Sequence, residues 1–168
     1  MTAYYDLPGL RQEHIDWLLR SGVSIDAMIH PEAIRLAHGH AERGLLVRDP
    51  AGDPWLAFAE ESNVAYWQPR SGELALEVRG TFALGEEVIR LPETYAFDCY
   101  LNVFASPLDW LRAGRDGIVV VDWSLTWERL HGVPRVALAE SVVFPFRRHF
   151  KPPTGPEVAV MRERRAAA

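Results

Sequence analysis

The chain has 168 residues, 48% hydrophobic and 24% charged, enough apolar material for the core of one domain or of one domain with a small subdomain. A net charge of -5 excludes the overall cationic field that attaches a protein nonspecifically to a polyanion, so any nucleic-acid contact has to be local. The one cysteine, Cys99, excludes an intrachain disulfide and a thiolate zinc cluster, and it points to a reducing, cytoplasmic setting. Residues 1 to 20 interleave Asp6, Arg11, Glu13, His14 and Asp16 with apolar residues, so they lack a signal-peptide core. No run approaches the roughly 18 apolar residues of a membrane span, and no membrane partner is expected. Lys151 is the single lysine among many arginines, a usage typical of GC-rich bacterial coding.

The segment QEHIDWLLRSG places Ile15, Leu18 and Leu19 on one helical face and stops at Gly22. HPEAIRLAHGHAERG predicts a second, short helix, with Pro31 at its first position and Glu32 near its positive end. From Gly44 the period becomes strand-like. LLVRD, the turn PAGD and PWLAFAE predict a hairpin turning at Gly52 and Asp53. VAYWQPRSGELALEVRG predicts another around Pro69 to Gly72, with Leu74, Leu76 and Val78 alternating against Glu73, Glu77 and Arg79. These readings divide the chain into a helical segment 1–43, an antiparallel β subdomain 44–91 and an α/β portion 92–168 ending in a basic tail.

After Pro92 short apolar runs alternate with helical stretches. LNVFAS, GIVVV, PRVALAES and PEVAVM read as strands over 101–105, 117–121, 135–139 and 157–160. Between them PLDWLRAG, SLTWERLHG and VVFPFRRHF read as helical segments. Strands alternating with helices predict an α/β fold whose second half is a largely parallel sheet flanked by helices. Ile118 to Val121, apolar throughout, suits a strand buried on both faces. In such a sheet Asp122, Ser106 and Glu140 fall at the carboxyl ends of strands, where open α/β sheets bind ligands.

A hairpin region carrying RGTFALGE, followed by LNVFASPLDWLRAG and the strand-helix alternation, resembles the Toprim domains of bacterial and phage DNA primases over roughly residues 44 to 150. That resemblance implies a Toprim-like sheet and a role in DNA transactions of a bacterial or mobile-element system. The family's glutamate position falls at Phe104 or Ala105, and its paired aspartates are replaced by ALAES with Glu140 alone. A hard octahedral Mg²⁺ wants several oxygen ligands, which one carboxylate does not provide. The resemblance therefore implies a noncatalytic, degenerate module without a cofactor.

The candidate residues have competing readings. Asp122 and Glu140 either line one crevice around a residual Mg²⁺ or cap the segments that follow them. His38 and His40 offer two imidazoles, but two residues apart on a helix they face different sides. Cys99 with His131 or His149 lacks a nucleophile signature, and Ser106 and Ser141 lack the Gly-x-Ser-x-Gly elbow. Neither a Walker loop nor a dinucleotide fingerprint is present. Trp55, Tyr66, Trp67, Trp110, Trp123 and Trp127 are either base-stacking surfaces or core. Arg147, Arg148 and Lys151, with His149 beside them and Arg162, Arg164 and Arg165 beyond, form the basic concentration. Arg147, Arg148 and Lys151 read as single-stranded nucleic-acid contacts, with Arg162 to Ala168 as a solvated end the competing reading. Three functions follow: a nucleic-acid-binding module, a protein-interaction or self-associating module, and a metal-dependent phosphotransfer enzyme or nuclease.

Overall fold

The computed structural model describes residues 2–61 and 63–152. Helix α1 (Thr2–Tyr5) is followed by α2 (Gln12–Arg20) and α3 (Ile25–Ile29). In α2 Leu18 is fully buried, with Ile15 and Trp17 half-buried beside it. Leu19, expected on the same face, is 42% exposed instead. Ser24 starts α3 by accepting the Ala27 N–H at 3.1 Å.

The helix expected after Pro31 is a strand, β1 (Arg35–Glu42), and this changes the topology of the whole first half. β1 pairs antiparallel on one edge with β2 (Leu45–Arg48) and on the other with β3 (Asp53–Glu60). Two neighbours satisfy the backbone N–H and C=O groups that a helix would have paired internally. The expected hairpin between 45 and 60 therefore does not form, because β1 lies between its two arms. The tight turn is at Arg43 and Gly44 instead, with φ of 53° and 80°. Positive φ at both central residues gives a turn whose twist matches the strands it joins. β4 (Asn63–Gln68) pairs with β3 and forms the expected hairpin with β5 (Glu73–Leu76) around residues 69–72. Val78 lies past the end of β5 and is 54% exposed. A parallel contact of β5 with β2, Leu45 opposite Leu76, closes a five-stranded barrel in the order β1-β2-β5-β4-β3.

Alternation along the strands feeds two cores. Leu36, Leu56, Phe58, Ala65 and Trp67 pack with Leu18, Val23 and Met28 of the N-terminal helical region. Ala37, Trp55, Ala57, Val64 and Tyr66, on the opposite faces, pack with Tyr4 and Leu7. The Trp55 indole N–H donates to the Gly39 carbonyl at 3.1 Å, so the polar atom of this buried ring is satisfied.

The second half is not a Toprim-like parallel sheet flanked by helices. It is built from β6 (Ala83–Leu84), β7 (Leu101–Val103), α4 (Pro107–Arg112), β8 (Val119–Val120), α5 (Thr126–Leu130), β9 (Val136–Leu138) and α6 (Val143–His149). β7 and β9 run parallel over three residues and Ile118 makes a single parallel bridge to Val103, whereas β8 pairs antiparallel with β6. The expected strand 157–160 lies outside the described residues. The fold is α+β, a closed mixed barrel with two-stranded ladders and short helices. Ile118 to Val121 misleads because a continuous apolar run needs only apolar neighbours on both sides. Here Val119 faces the core shared with the barrel, while Ile118 and Val120 face a third core with Phe82, Leu101, Val103 and Leu130.

The β1–β3 pairing brings two backbones together at Gly39 and Gly52. A Cβ on Gly52 would lie 2.7 Å from the Gly39 Cα, and one on Gly39 would run into the Val47 carbonyl. Gly132, by contrast, has open space around it. Gly39→Ala is expected to lower stability by about 1–3 kcal/mol, the usual range for overpacking. Gly132→Ala is expected to stay within about 0.5 kcal/mol of the parent in urea denaturation. Equal losses at the two positions would contradict the close approach.

Candidate functional site

Asp122 is the N-cap of the 3-10 turn Trp123–Leu125. Its Oδ1 accepts the Ser124 N–H at 2.9 Å and the Ser124 hydroxyl at 2.6 Å. Glu140 opens the 3-10 turn Glu140–Val142 and is exposed, with neither hydrogen bond nor ion pair for its carboxylate among the described residues. No hydrogen bond joins the two acids. No group of three or more His, Cys, Asp or Glu is placed to hold a metal among the described residues.

The other polar candidates have local partners. Because β1 is a strand, His38 and His40 share a face after all. Ser106 caps α4, accepting the Asp109 N–H at 3.2 Å and donating to Asp109 Oδ2 at 2.8 Å. Cys99 is exposed, and the His131 ring stacks on Trp127 at 5.7 Å. Trp55, Tyr66, Trp67 and Trp110 are buried, so these rings are core, whereas Trp123 and Trp127 are half-buried.

The basic residues keep their exposure. Arg147 and Arg148 occupy the last turn of α6, where the helix dipole favours cations, and Lys151 follows it. All three are exposed, and none pairs with an acid among the described residues. Phe144 lies three and four residues before the arginines, which puts all three side chains on one helical face, and it is 74% exposed. The opposite side of α6 is anchored by Phe146, stacked on Phe150 at 5.0 Å, and Phe150 packs on Trp127 at 5.1 Å. Arg162, Arg164 and Arg165 lie outside the described residues.

Two cavities were not anticipated. The first, about 310 Å³, is lined by Glu60, Glu61, Glu86, Glu87, Arg90 and Arg129. Glu60 is 9% exposed and accepts the Gly85 N–H at 3.0 Å. Burial pushes its carboxyl up to about 8, and the nearby charge of Glu87 adds to this while the Gly85 hydrogen bond opposes it. The sequence did carry the signal: with Leu56 and Phe58 facing the core, a period of two carries Glu60 to the same face. The second cavity, about 450 Å³, lies where α2 meets the ends of β3 and β4. Trp17, Pro54, Leu56 and Pro69 form its apolar walls, with His14 and Gln68 among its polar residues.

The chain matches no family model, no curated protein and no solved structure, so its chemistry rests on its own side chains.

The position of Glu60 gives stability a defined pH dependence. Below about 4.5, the ordinary carboxyl value, the folded and unfolded chains are both protonated at this group and it adds no slope. From there up to about 8 the folded state holds a proton that the unfolded state has released, so stability falls as pH rises; above that the full cost is present. Glu60→Gln, neutral throughout and able to accept the same N–H, should remove this slope. Its advantage over the parent in urea denaturation is expected to widen between about pH 5 and pH 8, towards a limit of roughly 5 kcal/mol. Parallel curves would show that Glu60 ionises normally.

Proposed function

We propose that this chain is a noncatalytic module that contacts single-stranded nucleic acid through α6, in a bacterial, cytoplasmic DNA transaction. The observation that carries the reading is the face made by Phe144, Arg147 and Arg148, an exposed aromatic beside two guanidinium groups that pair with no acid among the described residues, with Lys151 following. Unpaired strands are held by this combination: bases stack on aromatic rings, and cations neutralise phosphates. The reading gives Asp122 no metal role, since Ser124 engages its carboxylate. No helix among the described residues is long and apolar enough to cross a membrane.

A second reading, a protein-interaction or self-associating module, is favoured by a different feature. Phe97 is fully exposed, and Phe97 and Asp98 both adopt positive φ, 51° and 64°. Arg135 holds this loop through hydrogen bonds to the Tyr95 carbonyl, Asp98 Oδ1 and the Cys99 carbonyl at 2.7, 3.1 and 3.0 Å. An aromatic side chain presented by a constrained, strained loop suits insertion into a partner's pocket.

Salt separates the two readings. Three phosphate contacts imply that log affinity for single-stranded DNA falls against log salt with a slope of about -2, at about -0.7 per phosphate. Replacing Arg147 and Arg148 by alanine is expected to flatten the slope. Phe144→Ala should weaken binding by about 1–3 kcal/mol, the usual range for one stacked base, and leave the slope unchanged. Absence of binding at low ionic strength, together with self-association abolished by Phe97→Ser, would replace the nucleic-acid reading with the second.

A further inference from the structure

The cavity between α2 and the barrel is a more complete ligand site than either crevice acid provides. Trp17 forms a half-buried aromatic wall, its ring 6.1 Å from that of Trp67 behind it, and Leu56 continues the apolar surface. Gln68 is 6% exposed, and its Oε1 already accepts the Ser71 N–H at 2.7 Å and the Ser71 hydroxyl at 3.2 Å. Those bonds fix the amide. Its Nε2 donor makes no hydrogen bond among the described residues, and Gln68 borders the cavity. A buried amide oriented by its own turn, with a donor left over, is a preorganised recognition group.

The rim supplies both charges. Arg70, exposed on the turn after β4, has no acid partner among the described residues, and Glu13 on α2 contributes a carboxylate. A ligand that uses all of these groups has a flat apolar face for Trp17, a ring acceptor for Gln68 Nε2, an N–H donor for Glu13 and an anion for Arg70. A nucleobase carrying phosphate meets every requirement, and the volume of about 450 Å³ lies within the ordinary range for small-ligand pockets.

We infer that this cavity binds a free nucleoside monophosphate, base against Trp17 and phosphate towards Arg70. The site shares no residue with α6, so it stands or falls separately from the strand contact proposed above. Calorimetric titration of the full chain with the four common ribonucleoside monophosphates, the matching nucleosides and inorganic phosphate tests it. At least one nucleotide should bind more tightly than its nucleoside, and phosphate alone should give no saturation. Arg70→Ala, on an exposed turn where folding is not at stake, should erase the difference between nucleotide and nucleoside. Trp17→Ala should weaken both by about tenfold or more, as loss of a stacking partner does. Gln68→Glu, which replaces the donor amide with a carboxylate of the same shape, should weaken base binding too. Arg147→Ala with Arg148→Ala should leave nucleotide affinity unchanged. Absence of saturation at millimolar nucleotide, or affinities indifferent to both Arg70→Ala and Gln68→Glu, overturns the proposal.

Discussion

Gly39 is opposite Arg48 on one edge of β1 and opposite Asp53 on the other, and the barrel depends on that two-sided pairing. With β1 in the middle, β2 and β3 are carried apart. β5, brought back by its hairpin with β4, can then reach β2 and close the ring. Closure removes the free edges that an open sheet of five short strands would expose. It also fixes which side chains face the helices: Leu56, Phe58 and Glu60 are on the side covered by the core that includes α2 and α4. The backbone approach at Gly39 and Gly52 lies at the end of the β1–β3 ladder, and it leaves no room for a side chain at either position.

Single elements of this organisation were legible in the chain, whereas the closed barrel was not. The hairpin around residues 69–72 was visible because Leu74 and Leu76 alternate with acids and Gly72 marks the turn. β1 was not, because Pro31 and Glu32 imitate a helix start and Leu36, Ala37, His38 and Gly39 show no clear period of two. Tertiary pairing on both edges overrode the local preference. The run Ile118 to Val121 shows the same limit. It announces burial on both sides, but a strand between two separate cores and a strand inside a parallel sheet require the same residues. Pairing partners, rather than hydropathy, distinguish them, and β6 was too short to be noticed.

The functional residues divide in a similar way. The capping role of Asp122 follows from its place before Ser124, a purely local relation. Arg147 and Arg148 were visible as charge, but Phe144 joins them only once 143–149 is known to be helical. Glu60 and the cavity around Gln68 require the barrel itself: one needs the strand face, the other needs α2 laid across the ends of β3 and β4. Sites assembled from distant segments leave little trace in a single sequence.

What positions α6 bears on whether an acidic chain can present a cationic face. Glu86 accepts the Phe82 N–H at 2.9 Å and lies 3.5 Å from Arg129 of α5, which links α5 to the segment beside Glu60. Both side chains of that ion pair are partly exposed, 40% and 24%, and such pairs contribute about 0–1 kcal/mol. Aromatic contacts are the stronger term, at about 0.5–1.5 kcal/mol per pair beyond the area they bury. Trp127, Phe146 and Phe150 supply them, so packing rather than charge sets the orientation of α6. That orientation turns Phe144, Arg147 and Arg148 to solvent. At physiological salt, charges farther away than about 8 Å are largely screened, so the net charge of -5 weakens approach to a phosphate chain without cancelling the local field of the two arginines. The acids and the cations of this chain can therefore act as separate surfaces.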